Sequence, residues 1–467
     1  MRKSIKPLLQ NIMITGIASE GNALARVDGK VLFIPYGIPG DVVNVQVTRA
    51  RSKFMEGFIT EIVKPSEYRI APFCEHFGLC GGCKWQHLPY SMQLEYKQQQ
   101  VIDQLKHIGN LSLPEVLPII GSENTEHYRN KLEFTFSCAR WMTKEEIDEQ
   151  AAITDRSALG FHIPGMFDKV LDIRTCWLQN EPSNAIRLAV KSFAVKNNIP
   201  FFDLKQQTGL LRNLIIRTSS IGEVMVIAVM AYDDEQNRNL LMSFLQQNFP
   251  QITALMYVIN GKRNDSIADL PVHLFAGRGY IEEKMEDLIF KIGPKSFYQT
   301  NSSQAYRLYC VVREFSQLQG HETVYDLYTG TGTIANFIAR RAKKVVGVEY
   351  VQEAIADANE NAFHNHIDNT VFYAGDMKDI FSEDFVANNG KPDVIILDPP
   401  RAGIHPDIAK TLLRVAAPRI VYVSCNPATQ ARDLSAISEL YEIKKIQPVD
   451  MFPHTHHVEN VVLAERR

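Results

Sequence analysis

Thr323-Val324-Tyr325-Asp326-Leu327-Tyr328-Thr329-Gly330-Thr331-Gly332-Thr333 reads as a short apolar strand that runs into a glycine turn and out into a helix. Glycines at such a turn let the backbone approach a bound nucleotide-like ligand where a side chain would clash. The pattern alone is loose. With Ala335 it also satisfies the dinucleotide fingerprint, so an NAD-dependent enzyme is a rival reading of this stretch. Beyond about residue 295 the chain keeps a strand, helix, strand, helix rhythm, which predicts a doubly wound α/β sheet with its ligands on the carboxyl rim. The rhythm opens with a helix capped by Asn301 or Ser302, with Ala305, Leu308, Tyr309, Val312 and Phe315 on its apolar face.

The later strand ends discriminate. Val345-Val346-Gly347-Val348-Glu349 finishes in an acid able to accept hydrogen bonds from both ribose hydroxyls, which S-adenosylmethionine and NAD require alike. Val371-Phe372-Tyr373-Ala374-Gly375-Asp376 finishes in a carboxylate suited to an adenine amino group. Val394-Ile395-Ile396-Leu397 leads into Asp398-Pro399-Pro400-Arg401, where two prolines stiffen a loop facing the crevice. A dehydrogenase has no use for Asp-Pro-Pro there. Finally Val421-Tyr422-Val423-Ser424 breaks off at Cys425-Asn426-Pro427, and the proline places Cys425 where strand becomes loop. Acid, acid, acid and thiol on successive strand ends would be an expensive accident if each were buried independently. The set favours a methyltransferase with Cys425 as nucleophile over a buried core cysteine.

With 467 residues the chain is too long for one core, and 45% hydrophobic with 22% charged residues is ordinary for a globular protein. No apolar run reaches membrane-spanning length, and Met1-Arg2-Lys3-Ser4-Ile5-Lys6-Pro7 lacks the apolar core of a signal peptide. A cytoplasmic monomer with reduced thiols and no membrane partner is expected. The net charge of -3 excludes a uniformly basic nucleic-acid binder, yet residues 1–66 hold nine lysines and arginines against five acids. Within them Ile12–Thr15, Ala23–Val27, Val31–Pro35, Asp41–Val47 and Phe58–Val63 predict a five-stranded barrel. The run Arg49-Ala50-Arg51-Ser52-Lys53 beside Phe54 joins cations to an aromatic ring, the usual platform for single-stranded nucleic acid. With Gly37-Ile38-Pro39-Gly40-Asp41 ahead of it, the segment resembles the TRAM domain, an RNA-binding barrel of OB type.

Cys74, Cys80 and Cys83 fall within ten residues, a clustering that suits a metal centre, and Cys176 is the candidate fourth ligand. Spacing does not choose between zinc and iron-sulfur, and His76 and His87 keep a three-cysteine, one-histidine zinc site open. Met92–Ile108 reads as an amphipathic helix with Leu94, Val101, Leu105 and Ile108 inward. From Tyr128 to about 275, alternating runs predict an antiparallel sheet with a few helices. Arg129 and Lys131, Arg212 and Arg217, and Lys262 and Arg263 are candidates for an RNA face, set against scattered surface cations. Three parts result: a barrel at 1–66, a central α+β RNA-binding domain with the cysteine cluster at 67–290, and an α/β methyltransferase domain at 291–467.

Gln299 in Phe-Tyr-Gln-Thr-Asn, the Asp326 to Gly332 turn, Asp398-Pro-Pro-Arg401, Ser424-Cys-Asn-Pro427 and Asp450-Met-Phe-Pro-His-Thr-His-His-Val-Glu459-Asn resemble the RNA 5-methyluridine methyltransferases. The likeness runs along nearly the whole chain. It implies S-adenosylmethionine-dependent methylation of uracil C5 in RNA, with 23S ribosomal RNA the first substrate and transfer RNA the alternative. It implies that Cys425 adds to C6 and that Glu459 removes the C5 proton, with His454, His456 and His457 as rivals for the base. Gln299, Asp326, Tyr328, Gly330, Gly332, Glu349, Asp376 and Asp398 would hold the methyl donor. Phe297, Tyr298 and Phe452 are candidates to stack on the target base. The barrel together with Cys74, Cys80, Cys83 and Cys176 resembles the branch that carries a 4Fe-4S cluster, zinc being the lesser alternative. Thr333 departs from the asparagine found after the turn in several relatives. The absence of a second cysteine near Asp398 disfavours cytosine C5, and Arg401 replaces the aromatic residue of amino-methyltransferases. A non-catalytic RNA-binding protein that senses oxidants fits the barrel and cysteines but leaves Cys425 and Glu459 without a task.

Overall fold

Along Val42–Ala50 every second side chain is buried as far as Val47, the pattern of a strand with one wet face. The computed structural model describes residues 6–18, 20–148 and 156–467, so Arg2, Lys3 and most of Met1–Pro7 lie outside the described residues. Among the described residues the N-terminal sheet has six strands where five are expected from the sequence, in the spatial order Leu8–Met13, Val42–Ala50, Phe54–Lys64, Lys30–Ile34, Ala23–Val27, Gly16–Ile17. The run read as one strand over 12–15 is broken because Ile14 turns into the core, its N–H donating to the Asp41 carbonyl at 2.9 Å. Ala23, Ala25, Leu32, Ile34, Val43 and Val45 fill the interior with it. The basic run forms the turn between the two longest strands, and the Arg49 guanidinium lies 5.9 Å from the Phe54 ring centroid.

In the central part, Val224–Met230 is buried at every residue, on both faces. It lies inside a seven-stranded sheet ordered His273–Gly277, Ile252–Ile259, Val224–Met230, Leu211–Thr218, Lys131–Ser137, Ala158–Ile163, Met166–Asp172. The expected antiparallel sheet is corrected at one pair: Val224–Met230 and Ile252–Ile259 run parallel, since helix Glu235–Asn248 carries the chain back between them. One face packs under Ser183–Lys196 and Glu235–Asn248, and the other joins the catalytic core through Ile215, Met225, Ile227 and Val229.

The C-terminal part is the doubly wound sheet. Its strands are β1 Thr323–Leu327, β2 Lys344–Glu349, β3 Thr370–Ala374, β4 Val394–Leu397, β5 Arg419–Ser424, β6 Tyr441–Val449 and β7 Glu459–Arg466. Their spatial order is β3-β2-β1-β4-β5-β7-β6, with β7 antiparallel to both its neighbours. Helix Tyr90–His107, far earlier in the chain, completes this part: its Val101 and Leu105 share a core with Tyr325, Ile395, Tyr422 and Leu434.

Candidate active site

The turn after β1 is built for a ligand rather than for packing. Asp326 is wholly buried; one carboxylate oxygen accepts from the Thr329 hydroxyl at 2.6 Å and the Ala335 N–H at 3.1 Å, while Oδ1 has no partner. Burial pushes its carboxyl up to about 7. Tyr328, Gly330 and Gly332 all take positive φ, and Gly332 caps the helix that follows. A β-carbon on Gly332 would stand 2.8 Å from the Ala358 β-carbon, so only glycine keeps this path. Glu349 ends β2 and ties the turn down, one oxygen accepting from the Gly330 N–H at 3.2 Å and the other from the Val351 N–H at 3.0 Å. Asp376, beyond β3, caps a short helix and pairs with Lys378. An orphaned buried oxygen, positive-φ glycines and carboxylates along one rim suit a cationic, ribose-bearing ligand.

Cys425 follows β5 directly, half-buried, with Asn426 capping the next helix and Pro427 opening it. β5 pairs with β7 so that Val423 opposes Val461 and Ser424 opposes Asn460, and the next step along both strands sets Cys425 beside Glu459. Glu459 is only 4% exposed, and burial, reinforced by Asp398, pushes its carboxyl up to about 8. Burial, then the Glu459 and Asp398 charges, push the Cys425 thiol up to about 12 against the pull of Arg401. Asp398 stands at about 7, raised by burial and by Asp326. Behind them Tyr309, assigned from the sequence only to the helix core face, is held protonated by burial and by the charges of Asp398, Asp326 and Glu459. The Asp398-Pro-Pro-Arg401 loop is fastened to the helix after Cys425. Asn426 Nδ2 and the Thr429 hydroxyl donate to the Arg401 carbonyl at 3.1 and 3.2 Å, and the Ile404 N–H donates to Asp433 at 2.9 Å.

The structure therefore brings Cys425, Glu459, Asp398 and Arg401 within electrostatic reach of one another, with Asp326 behind Asp398. Gln299 lies on a loop held from the central sheet: Asn130 Nδ2 donates to the Gln299 carbonyl and to the Ser302 hydroxyl, each at 2.9 Å. Of the expected stacking residues, Phe297 is 69% exposed, whereas Tyr298 is buried with its hydroxyl unpartnered and Phe452 lies under Arg129, 5.3 Å from ring centroid to guanidinium. The three histidines are not equivalent. His454 is locked in main-chain contacts, while the His457 Nδ1 lies 3.4 Å from the Arg401 guanidinium. Burial and nearby cations depress all three, to between about 3 and 4, so they stay neutral.

Cys74, Cys80, Cys83 and Cys176 line one cavity of about 320 Å³, together with His76. Burial raises all four thiols, Cys80 and Cys83 to about 12; Cys80 also feels Cys176 and Cys74, and Cys83 feels Cys80, Cys176 and Cys74. Among the described residues no three Cys, His, Asp or Glu stand at the spacing of ligands to a single ion. His87 lies off this cavity against Phe77, which corrects its place as an alternative ligand; His76 Nε2 accepts from the Arg174 N–H at 2.9 Å.

Arg212 and Arg217 do not form an RNA face. Both are buried, Arg212 donating to the carbonyls of Asn260, Lys262 and Asn264 and to Asp265, and Arg217 to the Ser296 carbonyl. Lys97 is the residue that reading the sequence missed. It sits in the stripe Gln93, Lys97, Val101, Leu105 of the first long helix, where a single lysine on a buried face that repeats every four residues is the signal to notice.

Residues 274–467 match the family described as tRNA (Uracil-5-)-methyltransferase, and residues 9–60 match the TRAM domain. The chain is 56% identical to an uncharacterized RNA methyltransferase of Bacteroides thetaiotaomicron over 97% of its own length and 100% of the relative's. A Porphyromonas gingivalis relative of the same description is also 56% identical, over 97% and 99%. Among solved structures it resembles the Pyrococcus abyssi tRNA (uracil-54, C5)-methyltransferase in complex with S-adenosyl-L-homocysteine, with TM-score 0.76 and 29% identity over 97% of this chain and 99% of that one. No helix among the described residues is long and apolar enough to cross a membrane.

Proposed function

The chain belongs to the tRNA (uracil-5-)-methyltransferase family of S-adenosylmethionine-dependent RNA methyltransferases, and we propose that it methylates C5 of a uridine in 23S ribosomal RNA through a covalent adduct on Cys425. The observation that carries the adduct is the β5–β7 register, which puts a thiol and a carboxyl side by side on the ligand rim. Uracil C5 is a poor nucleophile with a proton too weakly acidic for direct removal. The Cys425 thiolate, its proton already lost, bonds through sulfur to C6, which moves the ring electrons into an enolate and makes C5 nucleophilic. S-Adenosylmethionine, when bound, supplies an electrophilic methyl group to that carbon. Glu459, in its ionised form, then takes the remaining C5 proton, the C5–C6 double bond re-forms and the sulfur leaves as thiolate. Asp326, Tyr328, Gly330, Gly332, Glu349, Asp376, Asp398 and Gln299 are the residues we assign to holding the donor.

We read Cys74, Cys80, Cys83 and Cys176 as ligands of a 4Fe-4S cluster. Zinc draws four sulfurs to about 2.3 Å from one point, whereas these line a larger cavity without single-ion spacing. Brown colour in anaerobically purified protein supports the cluster, and colourless zinc-loaded protein counts against it.

Ribosomal RNA is the first reading because the TRAM barrel joined to this cysteine set resembles the branch that methylates it, although archaeal-type transfer-RNA enzymes also join a barrel to clustered cysteines. The likeness to the Pyrococcus tRNA enzyme favours transfer RNA as the second reading. Mass-spectrometric mapping of 5-methyluridine in a deletion strain separates them: a site lost from 23S RNA supports the first, a site lost only from transfer RNA replaces it with the second, and no loss removes both. RNA containing 5-fluorouridine tests the adduct, since the fluorine cannot be removed as a proton and the complex is expected to persist through denaturation.

A further inference from the structure

The segment joining β6 to β7, residues 450–458, leads directly into Glu459 and is held by groups from elsewhere in the chain. Asp450 and Lys97 form an ion pair at 2.6 Å, both side chains wholly buried. The same ammonium donates to the Phe452 carbonyl at 3.0 Å, and the Tyr90 hydroxyl donates to the other Asp450 oxygen at 2.8 Å. One helical turn from Lys97, Gln93 takes hold of His454: its amide oxygen accepts the His454 N–H at 2.9 Å. Its amide nitrogen lies 3.2 Å from His454 Nδ1 and donates to the Trp85 and Leu88 carbonyls at 3.0 and 2.8 Å. The Lys84 and Trp85 N–H groups donate to the His454 carbonyl at 2.8 and 3.1 Å. His454 is thereby kept at a φ of 64°, a left-handed conformation that a β-carbon disfavours.

Stability alone gives little reason for this arrangement, because an apolar pair of similar shape avoids the solvation lost by two buried charges. Geometry supplies a reason. Val449, the residue before Asp450, pairs in register with Glu459, so fixing Asp450 fixes the carboxylate across the ladder. We propose that Lys97 and Gln93 are positioning residues for Glu459, holding residues 450–458 so that its carboxylate meets the C5 proton of the adduct. This rests on the roles given above to Cys425 and Glu459. Cys425 hangs from β5 and the loop of Arg401, so sulfur addition and methyl transfer do not depend on the hold, whereas proton removal does.

The full-length protein is compared with Gln93→Leu, with the double variant Lys97→Met, Asp450→Asn, which removes both charges at similar volume, and with Glu459→Gln. Single turnovers use tritiated S-adenosylmethionine and uridine-containing RNA. Denaturing gels read label in the protein–RNA band and in free RNA, and near-ultraviolet circular dichroism reads the fold. Expected is label entering the band within about threefold of the wild-type rate, with release of free methylated RNA slowed at least about tenfold, the scale of a misplaced general base. Unchanged release, or band formation and release falling together in folded Gln93→Leu, overturns the proposal. A band in Glu459→Gln but not in the other variants overturns it alone. No band in Glu459→Gln removes the base assignment and the proposal with it. Gln93→Leu changes no charge, so it decides the matter even where the double variant does not fold.

Discussion

Asn130, immediately before the central strand Lys131–Ser137, donates one side-chain hydrogen bond of 2.9 Å to the Gln299 carbonyl, and its own N–H donates to the Thr300 carbonyl at 2.8 Å. The loop that bears Gln299 is thus shaped by a residue from another layer. Asn130→Ala removes both side-chain bonds while leaving the main chain intact. Expected is a rise of about tenfold in the KM for S-adenosylmethionine with a smaller change in kcat, equivalent to roughly 1–2 kcal/mol for lost, partly buried hydrogen bonds. Steady-state kinetics with the donor varied at saturating RNA reads it.

Gly332→Ala places a side chain at a φ of 72° and 2.8 Å from Ala358. Strain of about 1–3 kcal/mol follows from the backbone conformation alone. Donor binding is expected to fall at least tenfold by calorimetry, with the melting temperature lowered by a few degrees. Unchanged affinity would show that the turn does not face the ligand.

Arg401 lowers the pKa of both Cys425 and Glu459 against burial. Arg401→Gln removes that pull. Alkylation of Cys425 by iodoacetamide, followed by peptide mass spectrometry, is expected to slow several-fold at pH 8 and to shift to higher pH. A Cys425→Ala control identifies the labelled site. RNA methylation falls alongside, because the adduct needs the thiolate.

Stability is expected to depend on pH in an unusual direction. Asp326 and Asp398 stand at about 7 and Glu459 at about 8, all raised by burial. Unfolded carboxyls titrate near about 4. Between these limits the folded chain binds more protons than the unfolded one, so their contribution is present at low pH and is lost as pH rises toward 8. Denaturant unfolding at a series of pH values from 5.5 to 8.5 reads the slope. Glu459→Gln is expected to flatten it by up to roughly 1.4 kcal/mol per pH unit and to be the more stable protein at the alkaline end.

The sheet of the catalytic part was legible because each strand end carries its chemistry within a short apolar run: Asp326, Glu349, Asp398 and Cys425 all lie on the rim where the runs stop. The helix capped by Asn301 is present as read, over Ser302–Ser316, with Ala305, Leu308 and Phe315 buried. The nearness of Cys425 to Glu459 was not legible, since it depends on β7 inserting between β5 and β6, a non-local pairing that no local pattern encodes. Charge misled in the central sheet. Arg212 and Arg217 look like surface cations in the sequence, but carbonyls from the 260–264 and 296 loops satisfy their donors inside the fold. Lys97 was hidden for the opposite reason: its partner lies 353 residues away.

The helix Tyr90–His107 has an evolutionary consequence. It lies outside residues 274–467, the stretch that matches the methyltransferase family, yet Val101 and Leu105 fill the core of that stretch and Lys97 neutralises its Asp450. Recombination that exchanged the C-terminal half alone would inherit an acid without its counter-charge and an apolar groove without its filling. The helix and the C-terminal stretch are therefore a matched pair, each leaving the other incomplete when exchanged alone.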